Sequence, residues 1–489
     1  MDNRGNKGLL FTTVFISGFV VMAFEIIGSR VLAPFLGTST YVWVSIIGVI
    51  LGAMSAGYYY GGVKADQDVR IQKLGHYLLL SAASICLMNL LKNQFLMLLG
   101  GVEIPLIVKA ILSSSVLFAA PAFFLAATFP YALKLALRRV EDAGKTAGQF
   151  YAVSTLGSIL GTFLSATLLI PLAGTNNILW ILACFLLGAA LLIGYKSQIR
   201  LFLAFMLVAS NVGFTQYPRS YVDVDSVYNR IWIMDGVAQG RDTRYMSLNG
   251  HVNSGMWVDN PIHEQLYPYS DYFRLAMHFQ PDFENVLMLG AGGYSFPKLF
   301  QSKWPNKQLD VVEIDPLLTS LSREYFAFED GSNTEIFHMD ARAYLMQSDE
   351  SQYDIIISDV FTSPLEVPFH MCTEEAYTLM ESRLKSNGVL ILNILGNWEG
   401  QHSEFLKSQM QTASHVFDQV LLFEVSDGRK SKMKNNMLLL SNSKAKLSTI
   451  SDNQEIQNMV ANKKLVDYES THLLTDDYAP ANWLLWKGK

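Results

Sequence analysis

A glycine-rich turn and the acids that follow it are the part of this sequence best suited to chemistry. The turn, Gly290-Ala291-Gly292-Gly293, directly follows the apolar run Val286–Leu289. A second apolar run ends about 20 positions later at Glu313 and Asp315. Such glycines let a ligand approach the backbone, and an acid at the end of the next strand can accept hydrogen bonds from ribose hydroxyls. The spacing predicts an adenosine-type ligand, although the glycines alone would also suit a tight turn in an ordinary α/β domain.

Two more acids follow predicted strands. Asp340 comes after Ile336–Met339, and Asp359 comes after the apolar run Tyr353–Ser358. In a doubly wound sheet, ligands bind outside the carboxyl ends of the strands. We therefore expect Asp340 to meet the adenine and Asp359 to reach the same edge of the sheet.

The segment before the glycine turn offers candidate substrate contacts. Residues 219–258 alternate between apolar and polar types and contain Asn249-Gly250, which predicts a small antiparallel sheet with a hairpin. Four side chains follow it that could line a pocket: His263, Glu264, Tyr267 and Tyr269. The tyrosines would equally suit a surface position at the end of a helix.

Composition divides the 489-residue chain into two parts. Half of the residues are hydrophobic and only 16% are charged. Lys and Arg outnumber Asp and Glu in residues 1–214, whereas acids dominate the rest. The acidic balance of the second part argues against nucleic acid as a partner. The three cysteines are isolated, which favours reduced thiols over disulfides or a metal site.

Six segments of the first part are long and apolar enough to cross a bilayer. They are about 8–29, 41–62, 76–99, 104–133, 149–172 and 177–195. Lys and Arg concentrate in alternate connections, which predicts a cytoplasmic amino terminus and a cytoplasmic segment after the sixth span. If the shorter run Leu201–Phe214 does not cross, the second part is cytoplasmic, where adenosyl compounds are found. If it does cross, the second part faces outward. We favour the first alternative, a cytoplasmic second part.

Several motifs of the second part resemble the spermidine synthase (polyamine aminopropyltransferase) family. They read VLMLGAGGYSFPKL, VVEIDPLL, HMDARAYL, YDIIISDVFTSP and LKSNGVLILNI. The closing LLTDDYAPANWLL resembles the tail of the branch in which a multi-span membrane domain precedes the synthase domain. The resemblance covers roughly 220–489 and, more loosely, the membrane part.

This resemblance implies a transferase with a class I methyltransferase-like fold that uses S-adenosylmethionine or its decarboxylated form and an amine acceptor, without a metal. Asp359 would deprotonate or orient the amine. The residues implied to bind the adenosyl compound are Gly290, Ala291, Gly292, Gly293, Glu313, Asp315, Asp340 and Ala341. Those implied or expected to face the amine are Tyr228, Asn229, His263, Glu264, Tyr267, Tyr269, Thr362 and Glu366.

Two departures from the family pattern bear on the substrates. Soluble members carry an Asp inside the glycine turn, where this chain has Gly293-Tyr294. They also carry a second acid shortly after the catalytic one, where this chain has Thr362, with Glu366 further on. Three functions stay open: aminopropyl transfer to an amine, another reaction of S-adenosylmethionine itself, and a membrane sensor or transporter with an adenosyl-binding domain.

Taken together, the sequence predicts an all-α transmembrane bundle of six or seven helices followed by a Rossmann-like domain. The predicted divisions are a membrane domain (1–214), a small β-subdomain (215–278) and a synthase-type domain (279–489). We expect a multi-pass protein of a bacterial-type inner membrane, in contact with lipid. The resemblance also makes a homodimer an option.

Overall fold

The computed structural model describes most of the chain. The described residues are 6–37, 39–100, 102, 104–193, 220–360, 367–400, 403–425, 434–443, 450–468 and 472–486. The chain divides into two compact units. The first comprises residues 1–219 and 224–230, and the second comprises 220–223 and 231–489. The run Leu201–Phe214 lies outside the described residues, as do Thr362 and Glu366.

The first unit contains six long helices in its described part. They are α1 (Lys7–Leu36), α2 (Thr40–Gln67), α3 (Ile71–Gly100), α4 (Leu106–Ala136), α5 (Ala143–Leu164) and α6 (Ile170–Leu192). A short π-helical turn, Ser165–Leu169, joins α5 to α6. Six helices are long and apolar enough to cross a membrane, in agreement with the spans predicted from the sequence.

Glycines allow these helices to approach each other closely. A side chain on Gly157 or Gly161 would lie only 2.2 or 2.3 Å from the carbonyl oxygen of Phe15 or Phe19, so α5 packs backbone to backbone against α1. Gly57 similarly brings α2 against the carbonyl oxygen of Phe123 in α4. Small residues at such spacings are typical of helices that associate within a bilayer.

A four-stranded antiparallel sheet precedes the main domain. Its strands, in both chain and spatial order, are β1 (Ser220–Asp225), β2 (Arg230–Ala238), β3 (Arg241–Leu248) and β4 (His251–Trp257). Asn249 and Gly250 form the β3–β4 turn with φ angles of 49° and 82°. Both angles are positive, as a tight hairpin turn requires, and the hairpin predicted from Asn-Gly is confirmed.

The main domain is built on an eight-stranded sheet. Its strands are β5 (Asn285–Leu289), β6 (Gln308–Val312), β7 (Thr334–Phe337), β8 (Tyr353–Ser358), β9 (Leu384–Gly396), β10 (Gln419–Glu424), β11 (Lys434–Ser441) and β12 (Lys463–Lys464). The spatial order is β12-β10-β11-β9-β8-β5-β6-β7. The five strands from β7 to β9 are parallel, whereas β10, β11 and β12 pair in antiparallel fashion. The strand order reverses between β5 and β8, and this switch point is where an open α/β sheet leaves a crevice for a ligand.

Helices cover both faces of this sheet. They are α7 (Pro268–Tyr272), α8 (Arg274–Phe279), α9 (Ser295–Lys303), α10 (Pro316–Tyr325), α11 (Ala341–Gln347), α12 (Glu374–Arg383), α13 (Glu404–Ser414), α14 (Gln454–Ala461) and α15 (Ala481–Trp486). Ile355, Ile356 and Ile357 of β8 are completely buried, because alternate side chains of a central parallel strand enter the two hydrophobic clusters on either face. The predicted class, an apolar helical domain followed by an α/β methyltransferase-like domain with a separate small sheet, is confirmed.

Candidate active site

The glycine turn lies at the switch point between β5 and β8. Gly290 has a φ of 82°, and a Cβ atom placed on it would lie 2.4 Å from the carbonyl oxygen of Asp359. Gly292 also has a positive φ, of 53°. Only glycine combines this conformation with so close an approach of two chain segments. The turn after β5 and the residue after β8 are therefore pressed together at one edge of the sheet.

The carboxylate of Glu313, just after β6, holds the glycine turn in shape. One of its oxygens accepts hydrogen bonds from the backbone N–H groups of Ala291 (3.0 Å) and Gly292 (3.2 Å). The other accepts from the N–H of Asp315 at 3.0 Å. Burial raises the pKa of Glu313, and these N–H groups oppose the rise. A carboxylate offers about four acceptor positions, so three backbone bonds leave capacity for a ribose hydroxyl.

The side chains of Ser254 and Tyr294 support the glycine turn. The N–H of Gly293 donates to the Ser254 hydroxyl on β4 at 2.8 Å. Tyr294 has a φ of 57°, and its side chain is completely buried with its hydroxyl 2.7 Å from that of Thr319. Gly293-Tyr294, where the resemblance places the acid of soluble family members, therefore offers a glycine and a tyrosine whose side chain points into the core.

Asp359 occupies the carboxyl end of β8 in a mostly apolar setting. Burial raises the pKa of this carboxyl to about 6, and hydrogen bonds from Asn393 and Tyr269 limit the rise. The Asn393 side-chain N–H donates to the carboxylate at 2.9 Å. Asn393 itself is 4% exposed, and its amide oxygen accepts no hydrogen bond from the described residues. A carboxyl with a pKa near neutrality, held by neutral donors, suits the removal of a proton from an amine.

The other predicted adenosyl-binding residues lie at the same edge, where they also begin helices. Asp315 accepts from the N–H of Leu317 at 3.1 Å and caps α10. Asp340 accepts from the N–H groups of Arg342 and Ala343 and caps α11, which Ala341 begins. The second Asp340 oxygen lies 3.4 Å from His370. Contact of Asp340 and Ala341 with adenine stays a prediction.

Only some of the predicted substrate residues lie near Asp359 and the glycine turn. Tyr269 is brought to Asp359, and its ring stacks on Tyr267 with centroids 6.3 Å apart. Glu264, by contrast, forms hydrogen bonds of 2.7 and 2.9 Å with Arg241. His263 lies 3.3 Å from the hydroxyl of Ser302, in the last turn of α9, whereas the glycine turn precedes the first turn of that helix.

Tyr228 and Asn229 belong to the first compact unit, in the turn between β1 and β2. The N–H groups of both residues donate to the Ser226 hydroxyl, at 3.0 and 2.7 Å. Asn229 is buried and Tyr228 is about half exposed. Their predicted contact with substrate stays a prediction.

Sequence reasoning missed two residues of this site. Asn393 is the first polar residue of the apolar run in β9, so the strand-end argument that selected Asp359 would also have found it. Ser254 carries no comparable signal. It meets the glycine turn only because β4 folds back over the main sheet's edge, which local sequence does not specify.

The topology is that of a class I methyltransferase-like domain, and the glycine turn and the strand-end acids lie at one edge of its sheet. Residues 270–426 match the family model described as the spermine/spermidine synthase domain. This match confirms, for that part of the chain, the resemblance to the spermidine synthase family stated from the motifs.

Curated relatives carry the same family name. The chain is 28% identical over 239 residues to a polyamine aminopropyltransferase of Vibrio vulnificus, covering 46% of this chain and 78% of that protein. It is 29% identical to one of Streptococcus uberis, over 36% of this chain and 60% of the relative. Among solved structures, a probable spermidine synthase from Corynebacterium glutamicum has a TM-score of 0.44 and 19% identity, covering 53% of this chain and 97% of that one. The relatives so named are transferases.

Proposed function

We propose that this protein is a membrane-bound transferase that moves the aminopropyl group of decarboxylated S-adenosylmethionine to an amine and releases methylthioadenosine. The family domain and the aminopropyltransferase relatives support the reaction class. The observation that carries the proposal is Asp359: a strand-end carboxyl, pressed against the glycine turn, with a pKa raised to about 6.

The reaction balances with one proton acceptor. The amine nitrogen forms a bond to the carbon next to the sulfonium, the carbon–sulfur bond breaks, and its electron pair remains on sulfur. The amine must shed one proton, which Asp359 accepts. The protein contributes alignment of the two substrates and removal of this proton rather than covalent chemistry.

The residues around Asp359 fit an ammonium-bearing substrate. The Asp359 carboxylate and the unused Asn393 amide oxygen together give acceptors for the N–H groups of an amine. Tyr269 adds an aromatic ring beside the carboxyl, and aromatic faces attract cations.

A second candidate is a reaction of S-adenosylmethionine itself, such as methyl or aminocarboxypropyl transfer or internal cleavage of the sulfonium. It is favoured by Gly293-Tyr294, which carries no acid where the resemblance places one; the Tyr294 side chain is completely buried. Without that acid, the turn has no carboxylate to bind the ammonium group of a decarboxylated donor. It also has no negative charge to repel the carboxylate of S-adenosylmethionine.

Thermal unfolding of the purified protein with adenosyl compounds tests the ligand. A compound that binds only the folded state at 100 times its Kd stabilises it by about 2.7 kcal/mol. We expect decarboxylated S-adenosylmethionine, S-adenosylmethionine or methylthioadenosine to raise the Tm, and the strongest of them to identify the donor. Glu313→Gln should abolish the rise, whereas Asn453→Asp, which keeps an oxygen to cap α14 outside the site, should retain it.

Asp359→Asn separates an enzyme from a sensor. The variant should bind the same adenosyl compound while turnover falls by about 10²–10⁴, the usual contribution of a positioned acid–base group. A variant that releases methylthioadenosine at the parental rate would show that Asp359 has no such role.

A further inference from the structure

The two ends of the first unit differ in charge and in what they contact. We call the end at which α1, α3 and α5 begin the basic end. Its contacts include Lys7 with Gln149 (2.9 Å) and Lys134 with Asp66 (2.8 Å). The Lys and Arg residues of this end are Lys7, Lys64, Arg70, Lys73, Lys134, Arg138, Arg139 and Lys145.

The opposite end has no Lys or Arg in its connections. These connections are residues 37–39, 101–105 and 171–174, and they join α1 to α2, α3 to α4, and α5 to the straight part of α6. The nearest cations lie within helices, among them Arg30 of α1. Arg30 is 23 residues beyond Lys7, a rise of about 35 Å along the helix, close to the thickness of a bilayer.

Residues 225–227 are fastened to this opposite end. The Arg30 guanidinium donates to the backbone oxygen of Ser226 at 2.8 Å and to that of Val227. The Asp225 carboxylate accepts from the N–H of Thr175 at 2.6 Å, at the kink where Gly174 has a φ of 70°. Two helices therefore hold the same short segment at the same end.

The last described residues of α6 lie at the basic end. From Thr175 to Leu192 the helix rises about 26 Å. The chain is thus at the basic end when α6 finishes and at the opposite end when it reaches Asp225. Directly after Arg230 it continues into the second unit.

We propose that residues 224–230 lie on the extracytoplasmic side of the membrane, and that the chain enters the second unit from that side. The proposal rests on the first unit spanning a membrane. Connections rich in Lys and Arg stay in the cytoplasm, which places the basic end there and the opposite end outside. This assignment replaces the cytoplasmic location that the sequence favoured for the second part.

A second unit outside the cytoplasm needs its donor on that side of the membrane. An adenosyl sulfonium is a cation and does not cross a hydrocarbon layer unaided. An enzyme domain entered from the outer side therefore works on a donor that has been carried across the membrane.

Cysteine labelling tests the location without depending on activity. Val227 is 53% exposed at the opposite end, and Val140 is 82% exposed in the connection between α4 and α5 at the basic end. Val227→Cys and Val140→Cys would each be treated with a small sulfonated maleimide in spheroplasts, before and after permeabilisation. Both variants would be made in a Cys184→Ser background, because Cys184 is exposed. That background, whose Cys86 and Cys372 are buried, serves as the blank.

We expect Val227→Cys to react at least tenfold more than the blank in intact spheroplasts, and Val140→Cys to react only after permeabilisation. The reverse pattern would overturn the proposal. Val237→Cys on β2, 68% exposed, is a second reporter with the same expected result, so poor labelling at position 227 alone does not decide the outcome. Ligand-induced stabilisation of the purified protein tests the enzyme proposal separately, because it is independent of sidedness.

Discussion

The Asp359 carboxyl, which is partly shielded from solvent, favours its protonated form in the folded protein. Burial raises its pKa from 3.8 to about 6, so ionisation at neutral pH works against folding. The protonated form of Asp359 contributes to stability at low pH, and this contribution is lost as the pH rises through about 6. The chain retains the carboxyl at that cost, which is the pattern expected of a residue kept for chemistry rather than for packing.

The pH dependence of turnover should depend on Asn393. Its amide N–H stabilises the ionised form of Asp359 and so lowers the pKa of that carboxyl. Asn393→Ala removes this donor, the pKa rises, and the acidic limb of kcat/KM should move to higher pH. A hydrogen bond to a charged group is worth about 1.5 kcal/mol, which corresponds to about one pH unit.

A buried asparagine outside the site provides the matched control. Asn333 is 7% exposed and donates to the backbone oxygen of Lys307 at 2.9 Å. Asn333→Ala should lower the Tm without moving the acidic limb. If both variants shift the limb equally, Asn393 acts on the fold and not on Asp359.

At the scale of elements, the carboxyl ends of β5 and β8 come close together because Gly290 has no Cβ atom between them. The closest approach is at Gly290, where both the positive φ and the neighbouring Asp359 backbone exclude a Cβ atom. The relative position of the glycine turn and Asp359, the proposed proton acceptor, is thus fixed by one glycine.

Gly290→Ala should therefore lower the free energy of unfolding by more than backbone strain alone would. Gly240, between β2 and β3, has a φ of 76° but nothing within 4 Å of its Cβ position, so Gly240→Ala isolates the strain, about 1 kcal/mol. We expect Gly290→Ala to lose at least twice that stability in denaturant unfolding and also to lose adenosyl-dependent stabilisation. Equal losses in the two variants, with ligand binding retained, would show that the close approach has no role.

Local sequence patterns predict some of the elements and residues of the site but not others. The glycine turn, Glu313 and Asp359 were predictable, because strand periodicity and the ends of apolar runs are local signals. Contacts between distant segments were not. Glu264 was expected to face substrate but pairs with Arg241, and Ser254 reaches the glycine turn through the packing of β4. The first partner is set by the folding of the small-sheet segment on itself, and the second by how the small sheet packs on the main one.

At the scale of the whole molecule, the two compact units differ in the character of their surfaces and elements. The first has six helices suited to a bilayer, and the second carries the family domain. Six helices with glycine-mediated packing form a bundle of their own, so the membrane part is more than a single anchor. The proposed orientation determines from which side of the membrane the donor reaches the second unit.

The most direct test of the central claim is mass spectrometry of the purified, full-length protein's products. The protein would be incubated with S-adenosylmethionine or its decarboxylated form, with and without putrescine as the amine. The account predicts methylthioadenosine and an aminopropylated amine in equal amounts, formed from the decarboxylated donor and abolished in Asp359→Asn. Methylthioadenosine from S-adenosylmethionine without amine would instead support the second candidate. The absence of any adenosyl-derived product with either donor, or equal product from parent and Asp359→Asn, would contradict the account.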